Sequence, residues 1–365
     1  MRLFQNYGLY PSYRTRLDRL VTVAGARSFG ERRRVFLADR FGAPHFLVPV
    51  LNDDPLAFFT NGDDEASQRP WARENGLKST STLEAILLAQ IEHHRTEVFY
   101  NLDPMRYGSD FVRKLPGCVR KSVAWRAAPS SGADFESYDL MVCNFPGILV
   151  SYRQRGWNAA YFSPAHDPTM DAYAANATRP IDVLFVGGYS RHHRQRAEVL
   201  QAVAALRCEF NVVFHLDRSR LTKAAESPLG KLLPLGQHRR PRAIRAVTAE
   251  PVFGRDLYRA ISTAKIVLNG AVDMAGSERG NMRCFEAMGC GALMVSDRGA
   301  YPNGMEDGIT MLTYSTPDEA VRVIREALAE PSRLADIAGA GHRAISSGYS
   351  KAQQWRDFVN LVEAA

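Results

Sequence analysis

Glu278 and Glu286 stand eight positions apart in the segment GSERGNMRCFEAMGCGALMVSD. The first falls in a polar, glycine-bearing loop. The second falls in a stretch that reads as a helix ended by Gly289, ahead of a buried strand at Ala292–Ser296. Asn281 is placed to cap that helix and Met282 to open it, so their free N–H groups offer an anion site. Arg283 adds a fixed positive charge beside it. A carboxylate inside such a helix, Glu286, suits two hydroxyls of a ribose. An isolated E-x7-E spacing is common in any sequence, however, and surface carboxylates with Arg283 as their ion-pair partner explain it more simply.

A second cluster follows the strand expected at Ile181–Val186. Gly187 and Gly188 permit close backbone approach, and Ser190, Arg191, His192, His193, Arg194 and Arg196 follow at a helix start. Glycines, helix-start N–H groups and guanidinium forks together make a cradle for a diphosphate. For Arg196 a solvated helix face is an equally good reading. The two histidines are adjacent and lack a carboxylate at ligand spacing, so no metal is expected. A third feature is a basic run from Arg218 to Arg245, with Arg218, Arg220, Lys223, Lys231, Arg239, Arg240, Arg242 and Arg245 against the lone Glu226. Such an imbalance can draw an anionic donor, a phosphorylated lipid carrier or a membrane surface. Nucleic acid ranks low, because no aromatic residues are interleaved with these arginines and no nucleic-acid-binding motif is present.

The elements that must position these groups alternate along the chain. Strands are expected at Arg2–Asn6, His45–Leu51, Glu97–Asn101, Lys121–Trp125, Asp139–Asn144 and Ala159–Phe162. A second series covers Ile181–Val186, Asn211–His215, Ile266–Leu268 and Ala292–Ser296. Helices are expected at Ser81–Arg95 with Ser81 as cap, and at Arg194–Leu206, Gly254–Ser262, Arg283–Gly289 and Pro317–Ala329. The polar stretch Asn52–Thr80 reads as a long loop. This alternation predicts two α/β halves with parallel sheets and functional loops at the strand carboxyl ends. The hinge falls around Ser163–Pro180. The boundaries expected are 1–165, 166–345, and a final helix over 346–365 with Trp355, Phe358 and Leu361 on one face.

The composition agrees with two globular domains: 365 residues, 45% hydrophobic, 23% charged and a net charge of +7. No run approaches the roughly 18 apolar residues of a spanning helix, and MRLFQNYGLYPSY lacks the apolar core of a signal peptide. Five cysteines with no CxxC pair argue for reduced thiols. A cytoplasmic protein, with peripheral membrane contact open to it, is the expectation.

The Glu278–Ser296 segment resembles the donor site of GT-B glycosyltransferases, whose retaining members carry an E-x7-E pair. It is closer to the CgeB-like, spore-maturation glycosyltransferases, whose Asn-x-Arg-x-Phe-Glu-Ala signature is matched by Asn281, Arg283, Phe285, Glu286 and Ala287. DVLFVGGYSRHHRQR and VFGRDLYRAISTAKIVLNG upstream, and DGITMLTYSTPDEAVRVIREAL and IAGAGHRAI downstream, extend the similarity from about residue 138 onward. The resemblance implies two Rossmann-like domains facing each other across a cleft, with the last helix crossing back onto the first domain. It implies a nucleotide-sugar donor, Arg191 or Arg194 neutralising the leaving nucleotide, a glycan or lipid-linked acceptor, no cofactor and no metal. Where retaining members follow the first glutamate with Gly-x-Gly, this chain has Arg279-Gly280-Asn281. The sugar contact of Glu278, and with it retention of configuration, therefore stays open.

On the acceptor side the groups that follow strands are Asn6, Tyr7, Asp103, Arg126 and Asn144, with His166 and Asp167 at the crossover. Asp103 is the choice for a general base, because it follows a strand directly. Glycosyl transfer leads. A nucleotide-sugar epimerase or hydrolase of the same fold, and a non-catalytic nucleotide- or polyanion-binding protein, are the alternatives.

Overall fold

A computed structural model of the chain describes residues 1–189, 194–232, 234–270 and 276–365, and leaves the side chains of Arg194, Lys231 and Leu232 undescribed. The chain divides into two compact units, one of residues 1–165 and 350–365, the other of residues 166–349.

The first unit is built on a six-stranded parallel sheet in the order β2-β1-β3-β4-β5-β6. Its strands are β1 (Leu3–Asn6), β2 (Ala57–Thr60), β3 (Val98–Asn101), β4 (Lys121–Trp125), β5 (Leu140–Cys143) and β6 (Ala159–Tyr161). The second unit is also a six-stranded parallel sheet, in the order β12-β11-β10-β7-β8-β9. Here the strands are β7 (Ile181–Gly188), β8 (Val212–Asp217), β9 (Thr248–Ala249), β10 (Ala264–Leu268), β11 (Leu293–Asp297) and β12 (Leu312–Tyr314). Both sheets are covered on two faces, which is why their strands read as continuous apolar runs. In the second, Val183, Phe185, Ile266, Leu268, Leu293 and Val295 pack to one side. Leu184, Val267 and Met294 pack to the other, the period of two that a strand imposes.

Several local expectations are corrected. His45–Leu51 is not a strand but a 3-10 turn, Ala43–His45, followed by a short helix, Val48–Leu51. Pro44 and Pro49 sit in the first turn of each, where a missing N–H costs nothing, whereas a central strand would lose ladder bonds. Asn52–Thr80 is not a loop throughout, since it holds β2 and a helix, Glu65–Glu74. The four residues AFFT are too short to stand out from their polar surroundings, and Pro70 hides the helix. Thr82 rather than Ser81 caps the next helix, its hydroxyl accepting from Ala85 N. Strands β9 and β12, of two and three residues, carry too little pattern to detect.

The final helix, Lys351–Ala364, belongs to the first unit. Its buried face is Lys351, Gln354, Phe358 and Val362, while Trp355 and Leu361 are only half-buried. The Lys351 ammonium donates to the carbonyls of Ala43 (2.7 Å), Pro44 (3.0 Å) and Phe46 (2.7 Å) and to Gln354 Oε1 (2.9 Å). A buried charge that meets four oxygens is solvated by them, and it adds a donor to carbonyls in and just after the 3-10 turn. Among the described residues no helix is long and apolar enough to cross a membrane.

Candidate functional site

Each sheet reverses its winding beside its first strand, at β1/β3 in the first unit and β7/β10 in the second. At such a reversal the connections leave in opposite directions, and a crevice opens at the strand carboxyl ends.

In the second unit β7 ends on Gly187 and Gly188, and a Cβ built on Gly188 would meet nothing within 4 Å. Leu268 of β10 pairs with Phe185, so Asn269 and Gly270 emerge beside these glycines. Asn269 is a junction. Its Nδ2 donates to Ser296 Oγ (3.1 Å), its Oδ1 accepts from Asn281 Nδ2 (3.3 Å), and its carbonyl accepts from Tyr314 OH (2.8 Å). Arg196 is not a solvated helix face: its Nη2 donates to Gly270 O at 2.6 Å, tying the helix Arg194–Ala205 to the end of β10. Ser190 and Arg191 lie outside the described residues, and the side chain of Arg194 is likewise undescribed.

The 276–281 loop is held by Arg279. Its guanidinium pairs with Asp297 at the end of β11 (2.7 Å) and donates to the carbonyls of Gly276 and Glu278. Backbone bonds from Arg279 N to Ala300 O and from Ala300 N to Ser277 O (both 2.8 Å) complete the attachment. Half-buried Glu278 forms a β-bridge with Ala300. Gly280, at φ 122°, turns the chain into the helix Met282–Gly289 through a conformation closed to other residues. Asn281 occupies the cap position of that helix, but its side chain does not cap. Engaged with Asn269 instead, it leaves the first-turn N–H groups, beginning at half-buried Met282, without a side-chain acceptor.

Arg283 and Glu286 are paired directly, Nη1 to Oε2 at 2.6 Å, with Glu286 only 2% exposed. Burial pushes the Glu286 carboxyl above the usual range, and the Arg283 charge opposes that shift without cancelling it. Phe285 packs edge-on against Tyr349 (5.2 Å), and Ala287 is buried. Within Asn-x-Arg-x-Phe-Glu-Ala, then, Phe285 and Ala287 anchor the helix while Arg283 and Glu286 form one charged unit.

In the first unit Asn6 and Asn101, in register on β1 and β3, are joined side chain to side chain at 2.9 Å. Asn6 Oδ1 also accepts from Gly62 N, and Asn101 Oδ1 from Asp103 N (both 2.9 Å). Asn6 is thus wholly buried scaffolding, not a surface for an acceptor. Tyr7 is corrected in the same way, because its ring is buried among Phe36, Phe41 and Phe46. Arg126, half-buried, donates from Nε to Ser130 Oγ. His166 falls in the second unit, buried, with Nε2 on Asp171 (2.8 Å) and its ring 5.7 Å from that of His342. There it lies against Gly289, at the end of the motif helix.

Asp103 differs from these. Its side chain is 22% exposed, and a Cβ on Gly8 would fall 2.7 Å from its Oδ2, so glycine is what lets the carboxylate lie over the end of β1. Burial and then the charge of Asp63 push its pKa up to about 6, against the opposing effect of Arg106. Sequence reasoning missed Asn269 and the pairing of Arg279 with Asp297, and left Arg196 between a diphosphate cradle and a solvated face. The available signal was position, since Asn269 follows its strand immediately in IVLNG.

Residues 194–360 match the family model described as glycosyl transferase-like, a little under half of the chain. No curated protein sequence matches. Among solved structures, Anabaena Alr3699/HepE, in complex with UDP and glucose, is 12% identical with a TM-score of 0.60 and full coverage of both chains. A glycosyltransferase from Rickettsia africae is 9% identical, covering 99% of this chain and 97% of its own, with a TM-score of 0.58. Sucrose-phosphate synthase from Thermosynechococcus elongatus is 12% identical over 86% and 85%, with a TM-score of 0.52. The fold is GT-B. Within this GT-B chain the family match spans β8 to β12, the motif loop and its helix, and continues into the C-terminal helix.

Proposed function

We propose that the chain is a glycosyltransferase that moves a sugar from a nucleotide-sugar donor to a glycan or lipid-linked acceptor. The observation that carries this reading is the Arg283–Glu286 pair, a half-buried guanidinium on a buried carboxylate, on a helix whose start opens at the strand carboxyl ends, inside the segment matched by the glycosyl transferase-like model. Breaking a sugar–phosphate bond builds negative charge on the phosphate and oxocarbenium character on the sugar. Fixed positive charge and backbone N–H groups stabilise the first without reorganising. Gly187, Gly188, Asn281, Met282 and the helix starts at Arg194 and Met282 supply that environment, with Arg191, Arg194 and Arg283 as the guanidinium sources. Glu286, held by Arg283, is suited to ribose hydroxyls, and Glu278 to the sugar. Asp103 is suited to take the acceptor's proton. Asn281, Arg283, Phe285, Glu286 and Ala287 support assignment to the CgeB-like subgroup.

HepE is in complex with UDP and with UDP-glucose in its solved structures, which makes UDP-sugars the first donors to try. Incubation with UDP-, GDP-, dTDP-, ADP- and CMP-sugars, with and without acceptor, tests the reading. Acceptor-dependent nucleotide release is the expected result. Release without acceptor points to the hydrolase or epimerase, and thermal stabilisation without turnover points to a binding protein. Guanidinium and amide groups make a metal unnecessary, so transfer is expected to survive EDTA.

A further inference from the structure

The basic run between β8 and β9 contains eight Lys and Arg residues and one carboxylate, an excess of seven. The whole chain has the same excess of +7, so everything outside residues 218–245 is balanced. The fold concentrates this charge further. Glu226, the only carboxylate in the run, is withdrawn into a buried, two-pronged pair with Arg240, Nε to Oε1 at 2.7 Å and Nη2 to Oε2 at 2.6 Å. Arg218 pairs with Glu250, which lies outside the run. Arg239 donates to the carbonyls of Ala225 and Gly230, which fastens the helix Arg220–Glu226 to the 3-10 turn Leu229–Leu232. Gly230 allows these two elements to touch, since a Cβ there would fall 1.9 Å from Ala224 O. Arg220, Lys223, Arg242 and Arg245 all remain exposed.

Beside those charges two leucines face solvent, Leu221 at 51% and Leu229 at 75% exposure. A diphosphate needs two or three cations and has no use for exposed leucines. A single-stranded nucleic acid needs aromatic platforms, and the run contains none. An anionic bilayer uses both features, because headgroups attract the guanidinium and ammonium groups while leucine side chains enter the acyl boundary. We propose that the face formed by Arg220, Leu221, Lys223 and Leu229 docks the protein on an anionic phospholipid surface. The proposal is independent of the glycosyltransferase reading, because binding to vesicles needs no donor and no turnover.

The test is sedimentation of the full chain with sucrose-loaded vesicles of phosphatidylcholine alone and of phosphatidylcholine with about one-third phosphatidylglycerol. Binding to the anionic vesicles only is expected. It should weaken as salt rises from about 0.1 M to 1 M, which shortens the screening length from about 10 Å to 3 Å. Arg220→Glu with Lys223→Glu, and separately Leu221→Asp with Leu229→Asp, should each weaken it at least tenfold with the melting temperature unchanged. Equal binding to both vesicle types, or none to either, overturns the proposal, and that comparison decides even if a variant fails to fold. So does a leucine variant that binds as wild type. If the charge variant alone fails and an oligonucleotide competes fully for wild-type protein, the face is a general polyanion site and not a membrane dock.

Discussion

Arg283 and Glu286 place opposite charges 2.6 Å apart with the carboxylate out of solvent, so removing one strands the other. Loss of one partner of a buried pair costs about 3 kcal/mol. Arg283→Ala should therefore lower urea stability by about that amount and kcat/KM at least tenfold, about 1.4 kcal/mol of barrier. Adding Glu286→Gln should restore most of the stability and none of the activity. An unchanged kcat/KM in Arg283→Ala would remove this arginine from the mechanism. Asp103 makes a prediction about pH. Its folded pKa, about 6, lies above that of an unfolded aspartate, so the folded state binds the proton more tightly. The associated stability is complete below about pH 4 and is lost as pH rises through 6. Asp103→Asn should accordingly stabilise the protein at pH 7.5 by up to about 2 kcal/mol, discounting for partial exposure, and change little at pH 4. The same substitution should abolish a rise in kcat/KM centred near pH 6 if this carboxylate takes the acceptor's proton. A limb that survives in the variant assigns the base elsewhere.

At the scale of the element, the helix Lys351–Ala364 is bound into the first unit by one ammonium that serves three carbonyls of the 43–46 turn. Lys351→Met keeps the volume and deletes the donors, costing Phe46 O its ammonium partner, while Ala43 O keeps Phe46 N and Pro44 O keeps Ala165 N and Gln354 Nε2. Hydrogen bonds to a charged group contribute about 1.5–3 kcal/mol each way of counting, and an orphaned acceptor adds to the loss. The expected cost is about 3 kcal/mol by urea denaturation, and a cost below about 1 kcal/mol would mean that water replaces the ammonium. Gly8 is the second such point. Gly8→Ala should push the Asp103 carboxylate aside and cut kcat/KM more than tenfold, and an unaffected rate would show that this position of the carboxylate is not the working one.

For the whole molecule, both units are six-stranded parallel sheets that reverse beside their first strand, with one strand beyond it in the first and two in the second, and the motif loop and its helix lie only in the second. Hydrogen exchange with saturating UDP-sugar should therefore slow amides in β7, around Asn269 and over 276–289, and leave the first unit's strand ends unchanged. Protection confined to the first unit would overturn the placement of the donor.

Regular, buried strands such as Lys121–Trp125 and well-bounded helices such as Gly254–Ser262 and Pro317–Ala329 are legible from residue pattern, because burial on both faces and helix-end residues leave a local trace. The motif segment is legible for the same reason, with its cap position, helix and strand in contiguous order. The apolar run His45–Leu51 misleads because the first of its two proline-started turns packs on Lys351, some three hundred positions away. Short β2, β9 and β12 owe their conformation to pairing with neighbouring strands. The same separation governs the site. Sequence alone names Arg283, Glu286 and Asp103, while only the folded chain decides that Arg283 holds Glu286, that Asn6 and Tyr7 are structural, and that Asn269 joins three strand ends. Local periodicity records which face of an element is buried; which distant polar group it meets depends on chain closure, and no local spacing encodes that.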